Sequence, residues 1–307
     1  MTTETPSAAV TGASGYTGKY ITRRLFETHA SVLNLSGHPK RPHEFGAGLR
    51  TRPLDFERPD ALAESLHGIH TLYNTYWVRF NYGETTYDRA VRNTQILLEA
   101  AQRAGVQRLV HVSIANPTLD SPLPYYRGKA EIERSIQQSG ISYAILRPTV
   151  IFGREDILIN NIAYLLRRFP LFAIPGSGAY GIQPIYVEDM AELAMRAGAS
   201  GENLIQDAAG PETFTFTELV QTLDAVLPGR TALLHMPAGL TLALSRLIGA
   251  LVGDVVLTAD EVAGLSAGLL VSHEPARGWT SFREWIAANA HLLGQVYASE
   301  LKRHYRR

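Results

Sequence analysis

Between an apolar run at Ala8 to Val10 and a helical pattern opening at Tyr16, the chain reads Thr11-Gly12-Ala13-Ser14-Gly15-Tyr16-Thr17-Gly18. A strand that runs into glycines and then a helix lets backbone approach a pyrophosphate. The first glycine permits the tight turn and the next lets main chain reach phosphate. The last lets helix pack close to strand, with the positive end of the helix facing the negative charge. The spacing predicts a βαβ dinucleotide site built from Gly12, Ser14, Gly15, Tyr16 and Gly18.

The alternation continues through the first half. Short β-branched runs at Ser31 to Leu35, near Leu54, Ile69 to about Thr75, Arg108 to Ser113 and Ser142 to Arg147 read as strands. Between them lie helical patterns at about Pro59 to Leu66, Glu84 to Ala104 and Lys129 to Gln138, the last two stopped by Gly105 and Gly140. This is the sequence form of an α/β fold, a Rossmann-type doubly wound parallel sheet. We expect a dinucleotide-binding domain over residues 7–150 and a smaller substrate-binding lobe with C-terminal helices over 151–307, intertwined with the first. Thr215 with Glu218 and Ser281 with Glu284 have capping-box spacing and predict helix starts.

Composition removes several classes of function. Basic and acidic residues balance at 29 each, so no global field is available for nucleic acid or an anionic membrane. Cysteine is absent, which excludes thiolate chemistry and disulfides; the ten histidines show no metal-ligand spacing, and there is no GxSxG elbow. The N-terminus has neither a basic patch nor an apolar run, so it does not read as a secretory signal, and a cytoplasmic location is expected. The most apolar stretch, Met236 to Leu257, is interrupted by Arg246 and Asp254 and reads as a buried or interface helix. A homodimer is the assembly left open.

NAD binders place a carboxylate at the end of the second strand to accept from the ribose 2′-hydroxyl, whereas NADP binders supply positive charge there. Here that end reads Leu35-Ser36-Gly37-His38-Pro39-Lys40-Arg41. No carboxylate is present, and Ser36, Lys40 and Arg41, with His38 beside them, suit a 2′-phosphate, so NADP is preferred over NAD. Further on, Tyr125 and Lys129 stand four apart, on one face of a helix. An ammonium there lowers the phenol's pKa and holds a ribose, and the phenol serves as general acid or base. Tyr126 competes for the role. The aromatic loop Tyr76 to Gly83, with Trp77, Arg79 and Tyr82, lies at the carboxyl edge of the sheet, where such folds bind ligands.

Taken together, the TGxxGxxG turn, Asp55-Phe56, Asn74-Thr75-Tyr76, Asn93-Thr94, the YxxxK of Tyr125 to Lys129, Leu146-Arg147-Pro148-Thr149 and Pro184 to Asp189 stand in a familiar order. The chain resembles the short-chain dehydrogenase/reductase superfamily in its extended and atypical, epimerase/dehydratase-like branch, and within it the group related to the dehydrogenase-like accessory subunit of respiratory complex I. That resemblance implies that Asp55 and Phe56 touch adenine, that Asn74, Thr75 and Tyr76 lie on the ribose side, and that Pro148 and Thr149 pass the nicotinamide. It implies substrate reading by Arg154, Asn160 and Asn161. It also implies a catalytic Ser or Thr just past the fifth strand, where Ile114 stands, with Ser113 one residue before it and Asn116 or Thr118 as stand-ins. The expected function is an NAD(P)-dependent oxidoreductase or epimerase-like enzyme acting on a small molecule. The alternative is a non-catalytic NADP(H)-binding redox sensor or assembly subunit.

Overall fold

The computed structural model describes residues 8–28 and 30–305. Ser7, the expected start of the first domain, lies outside them. The chain divides into two compact units, one ending at Pro148 and taking in Val187–Asp207, the other made of Thr149–Tyr186 and the chain from Ala208 onward.

In the first unit the order is β1 (Ala8–Thr11), α1 (Tyr16–Glu27), β2 (Val32–Ser36), β3 (Arg50–Pro53), α2 (Pro59–Ser65), β4 (Thr71–Asn74), α3 (Tyr87–Arg103), β5 (Arg108–Val112), α4 (Pro124–Gln138) and β6 (Ser142–Pro148). The second unit then begins with β7 (Val150–Phe152), α5 (Leu158–Arg168), β8 (Leu171–Pro175), β9 (Gly181–Ile182) and β10 (Pro184–Tyr186). The chain returns to the first unit for α6 (Val187–Ala199) and β11 (Leu204–Ala208). It closes in the second with β12 (Phe214–Thr215), α7 (Phe216–Val226), β13 (Ala232–Met236), α8 (Ala238–Val252), α9 (Ala259–Ser266) and α10 (Phe282–Asn289).

The seven-stranded sheet has the order β11-β6-β5-β4-β1-β2-β3, and β1 to β6 pair in parallel. Alternation along each strand decides which helices cover which face. Leu72 and Leu109 point to one side, where Leu62, Leu66, Leu97, Ile132 and Ile136 of α2, α3 and α4 meet them in a continuous core. Tyr73 points to the other, where a Cβ on Gly198 of α6 would overlap its hydroxyl, and Arg108 donates to the Ala197 carbonyl at 2.8 Å. The simple division at residue 150 therefore needs a correction. Val187–Asp207 belongs to the first unit because α6 covers this face and β11 supplies an edge strand that the sequence reading did not assign.

The second unit has its own core, with Phe152, Ile159, Phe172, Phe214, Leu219, Leu223, Phe282 and Ile286 among its buried members. Three two-stranded sheets surround it: β7 with β10, β9 with β12, and β8 with β13. The Thr215 hydroxyl accepts from the Glu218 amide at 3.1 Å and the Glu218 carboxylate from the Thr215 amide at 2.8 Å, so the capping box forms as spaced. A second box, Thr258 with Glu261, opens α9.

Candidate functional site

The glycine turn is held from behind by the ends of β1, β2 and β4. The Thr11 hydroxyl donates to Asn74 Oδ1 at 3.0 Å and accepts from the amides of Thr75 and Tyr76 at 2.8 and 3.1 Å. The Thr75 hydroxyl returns a bond to the Thr11 carbonyl at 2.6 Å. The Ala13 amide donates to Asn34 Oδ1 at 2.9 Å and the Gly12 amide to the Leu35 carbonyl at 2.8 Å. Gly12 needs its φ of +70°, and a Cβ on Gly18 would overlap the Gly12 carbonyl oxygen, so strand and helix come as close as backbone allows. No side chain caps α1 at Gly15, which leaves its first amides to an outside anion. Ser14 and Tyr16 stand at this same end, Tyr16 with its ring 5.9 Å from Tyr20. These residues fit a dinucleotide pyrophosphate.

Beside the turn, the Phe56 ring lies 5.0 Å from that of Tyr76, whose hydroxyl accepts from Asn93 Nδ2 at 2.8 Å. A cleft of about 420 Å³ opens here, with Phe56, Arg89, Arg92, Asn93 and Ile96 in its wall. Arg58 at 2.7 Å, helped by the Glu57 amide, holds the Asp55 carboxylate below its ordinary pKa. At the end of β2 the Ser36 hydroxyl accepts from the His38 amide at 3.0 Å. Lys40 is exposed with no ion pair among the described residues, and Arg41 and His38 are half-buried.

On the far side of β4, α4 begins earlier than its periodicity predicts. Pro124 takes the first turn, where its missing N–H costs nothing, and this brings Tyr125 into the helix one turn before Lys129. The half-buried Tyr125 ring stands edge-on to Trp77 and to Tyr87, each at 5.7 Å. Trp77 lies across Gly128, where a Cβ would come within 3.1 Å of the indole. Lys129 is 2% exposed; its Nζ donates to the Val112 carbonyl at 2.9 Å and sits 4.7 Å from the Trp77 ring centre. Burial pushes its pKa down to about 7, against the opposing charge of Glu133.

Two buried groups behind α4 escaped the sequence reading. Asn74 uses its Oδ1 as acceptor, so its Nδ2, 3.1 Å from His111 Nδ1, assigns that ring nitrogen as acceptor and puts the proton on Nε2. Burial, and then the Lys129 charge, hold the His111 pKa well below its usual value, so the ring is neutral. The second group is the Glu133 carboxylate, 3% exposed, which accepts from the Ser113 hydroxyl at 2.5 Å and from Arg147 at 2.5 and 3.0 Å. Ser113 is thereby corrected from catalytic candidate to structural donor, because its one proton is given to Glu133. A Glu four residues past Lys129 on an otherwise apolar helical face was the available signal.

Residues 12–157 match the family described as NAD(P)H-binding. This segment is an NAD(P)H-binding domain. The chain is 23% identical to NADH dehydrogenase [ubiquinone] 1 alpha subcomplex subunit 9, mitochondrial, of Arabidopsis thaliana, over 86% of this chain and 71% of that protein. With its Mus musculus counterpart it shares 27%, over 68% of this chain but only 56% of the mouse protein. An NADPH-dependent quinone oxidoreductase of Escherichia coli, solved with NADPH, superposes with a TM-score of 0.77 over 92% of this chain and 99% of that one, at 22% identity, which shows the fold.

Around the NAD(P)H-binding domain's dinucleotide turn the structure gathers Asn74, Thr75 and Tyr76, and next to them Trp77, Lys129 and Tyr125. Other candidates have different work. The Arg79 guanidinium lies 5.6 Å from the Phe80 ring, and Tyr82 is 44% exposed with its backbone bonded to Thr85. Pro148 ends β6 with its carbonyl accepting from the Ala115 amide at 2.9 Å. In the second unit, Thr149 gives its hydroxyl to the Gln183 carbonyl. Asn160 bonds Asp156 at 3.2 Å and receives the Gly294 amide at 3.3 Å, while Asn161 exchanges two bonds with Ala298 at 3.0 and 2.8 Å. These three are corrected from ligand readers to ties between segments, since their polar groups are buried and used. Arg154 is exposed.

The buried lysine of the NAD(P)H-binding domain makes stability depend on pH. Its folded pKa, about 7, lies below the ordinary lysine value of 10.5, so between these the unfolded chain binds more protons and stability rises with pH. Below about 7 both states are protonated and the cost of burying the charge is fully present. Lys129→Met is therefore expected to raise Tm most near neutral pH, with the advantage shrinking toward pH 10. A difference constant across thermal melts from pH 6.5 to 9.5 would refute it.

Proposed function

We propose that this NAD(P)H-binding domain serves a short-chain-dehydrogenase-type oxidoreductase that prefers NADPH, acts on a small-molecule carbonyl or carbinol, and uses Tyr125 as general acid or base. One observation carries the reading. Tyr125 and Lys129 share Trp77 one helical turn apart, next to residues bonded to the dinucleotide turn. When bound, the nicotinamide gives or accepts a hydride. The protein's part is to hold and move a proton at Tyr125 Oη, with the Lys129 ammonium favouring the phenolate. His111, neutral and fixed through Asn74 and Thr11, positions the lysine's surroundings without adding a charge. An epimerase-like cycle, with hydride leaving and returning to one substrate, is the subtype without net turnover of cofactor.

A second reading, cofactor binding without chemistry, is favoured by Ser113, which is committed to Glu133. The subunit names of the Arabidopsis and mouse relatives agree with it. Native mass spectrometry followed by NADPH oxidation assays on quinones, carbonyls and sugar nucleotides separates the two. Turnover of any class supports the enzyme; bound dinucleotide with no turnover replaces it.

The cofactor preference has its own test. NADPH is expected to bind more tightly than NADH, and Lys40→Ala with Arg41→Ala to weaken NADPH alone. A hydrogen bond to a charged group contributes about 1.5–3 kcal/mol, so the loss is about tenfold to a hundredfold. Calorimetric titrations showing equal affinities, or no response to the double change, would remove the preference or its mechanism.

A further inference from the structure

α8 is turned inside out relative to an ordinary surface helix. Toward its own unit it buries Thr241, Ser245 and Gly249, while Leu240, Leu244, Leu247 and Leu251 are exposed at 60%, 39%, 66% and 85%. Small residues face inward for a steric reason: after the left-handed Gly253 the chain folds back so tightly that a Cβ on Gly249 would come within 2.5 Å of the Asp254 carbonyl oxygen. The leucines are left to water, at a cost of about 25 cal/mol per Å² of apolar surface kept exposed. Such a patch marks a contact surface.

We propose that α8 is the two-fold interface of a homodimer, in which it packs antiparallel against α8 of a second copy. The proposal is independent of the reaction assigned to the NAD(P)H-binding domain. The 4-3-4 spacing of the leucines is that of a knobs-into-holes seam. It is also palindromic: about a dyad between Ser245 and Arg246, Leu240 faces Leu251 and Leu244 faces Leu247, the self-complementarity an isologous contact requires. Charge argues against a lipid surface. Helices that lie on membranes carry several basic residues beside their apolar face, whereas α8 has Arg246 alone, and the whole chain is neutral. No helix of the described residues is long and apolar enough to cross a membrane.

Area is consistent with a dimer. One leucine stripe offers a few hundred Å², against about 800 Å² per partner in a stable interface. The rest can come from β8 and β13, whose strand pair leads into α8 through Pro237 and leaves Leu171 and Leu234 exposed at 60% and 49%.

Because the chain has no cysteine, introduced thiols report pairing without background. In the antiparallel seam, residue 240 of one copy meets residue 251 of the other, while the two copies of residue 240 lie about 16 Å apart at about 1.5 Å rise per residue, beyond disulfide reach. Mixing Leu240→Cys with Leu251→Cys protein under mild oxidation should give a heterodimeric disulfide, and Leu240→Cys alone should give none. Wild type should elute as a dimer by light scattering, and Leu244→Glu with Leu247→Glu as a folded monomer that still binds NADPH. Cross-linking of Leu240→Cys to itself overturns the antiparallel geometry. A monomeric wild type, or a dimer that survives the double glutamate change, overturns the interface. If the monomer sediments with neutral or anionic lipid vesicles and the double variant does not, the surface belongs to lipid.

Discussion

Tyr125→Phe lowers turnover by about a hundredfold to ten-thousandfold while the dinucleotide stays bound, the span that a lost general acid or base accounts for. The change removes one oxygen and keeps the ring, so the edge-on contacts with Trp77 and Tyr87 at 5.7 Å persist and the packing of α4 is preserved. Lys129→Met should differ in kind. Its Nζ bonds the Val112 carbonyl and faces Trp77, so its loss is expected to raise the Kd for NADPH as well as to slow the reaction. Tyr126 is 7% exposed with its ring 5.5 Å from that of Tyr125, so Tyr126→Phe is expected to keep activity. The reverse result, full activity in Tyr125→Phe and loss in Tyr126→Phe, would move the acid/base by one residue.

Arg147→Ala should destabilise the first unit by about 3–5 kcal/mol, the effect of stripping a buried carboxylate of its cation. Glu133 is 3% exposed, and with Arg147 gone only the Ser113 hydroxyl at 2.5 Å is left of the partners named for it. Ser113→Ala removes one bond of that set and is expected to cost about 1.5–3 kcal/mol, the range for a hydrogen bond to a charged group. Adding Glu133→Gln to Arg147→Ala removes the orphaned charge, so the double variant should be more stable than Arg147→Ala. Urea unfolding at pH 7.5 measures all of these, and additivity of the two changes would show that the pair does not act as a unit. If Ser113→Ala abolished turnover without altering stability, the serine would regain its catalytic role.

The dinucleotide half was legible because its information is local. Gly12, Gly15 and Gly18 lie within one turn and one helix start, and the strand and helix periods on either side need no distant partner to be read. The same holds for Thr215 and Glu218, three residues apart, whose capping box is present as spaced. Tyr125 with Lys129 was visible for the same reason, although the helix that carries them starts at Pro124 and not at Lys129. Thr149, Asn160 and Asn161 were misread because nothing nearby announces that Gln183, Gly294 and Ala298 take their polar groups.

By itself, the amino-acid sequence determined the βαβ opening, the strand–helix order to Pro148 and the pairing of a tyrosine with a lysine on one helical face, since each depends on steric and periodic rules that act over a few residues. Only tertiary structure decided the rest. Glu133 finds Ser113 and Arg147, 20 and 14 residues away, because β5, β6 and α4 converge, and burial there is what makes a serine structural. Val187–Asp207 rejoins the first sheet because its sixth strand still has an edge to pair and its far face still needs a helix. Helical spacing gives α8 a leucine stripe but cannot say which side faces the body; the tight return of the chain at Gly253 onto Gly249 settles that, and turns the leucines outward.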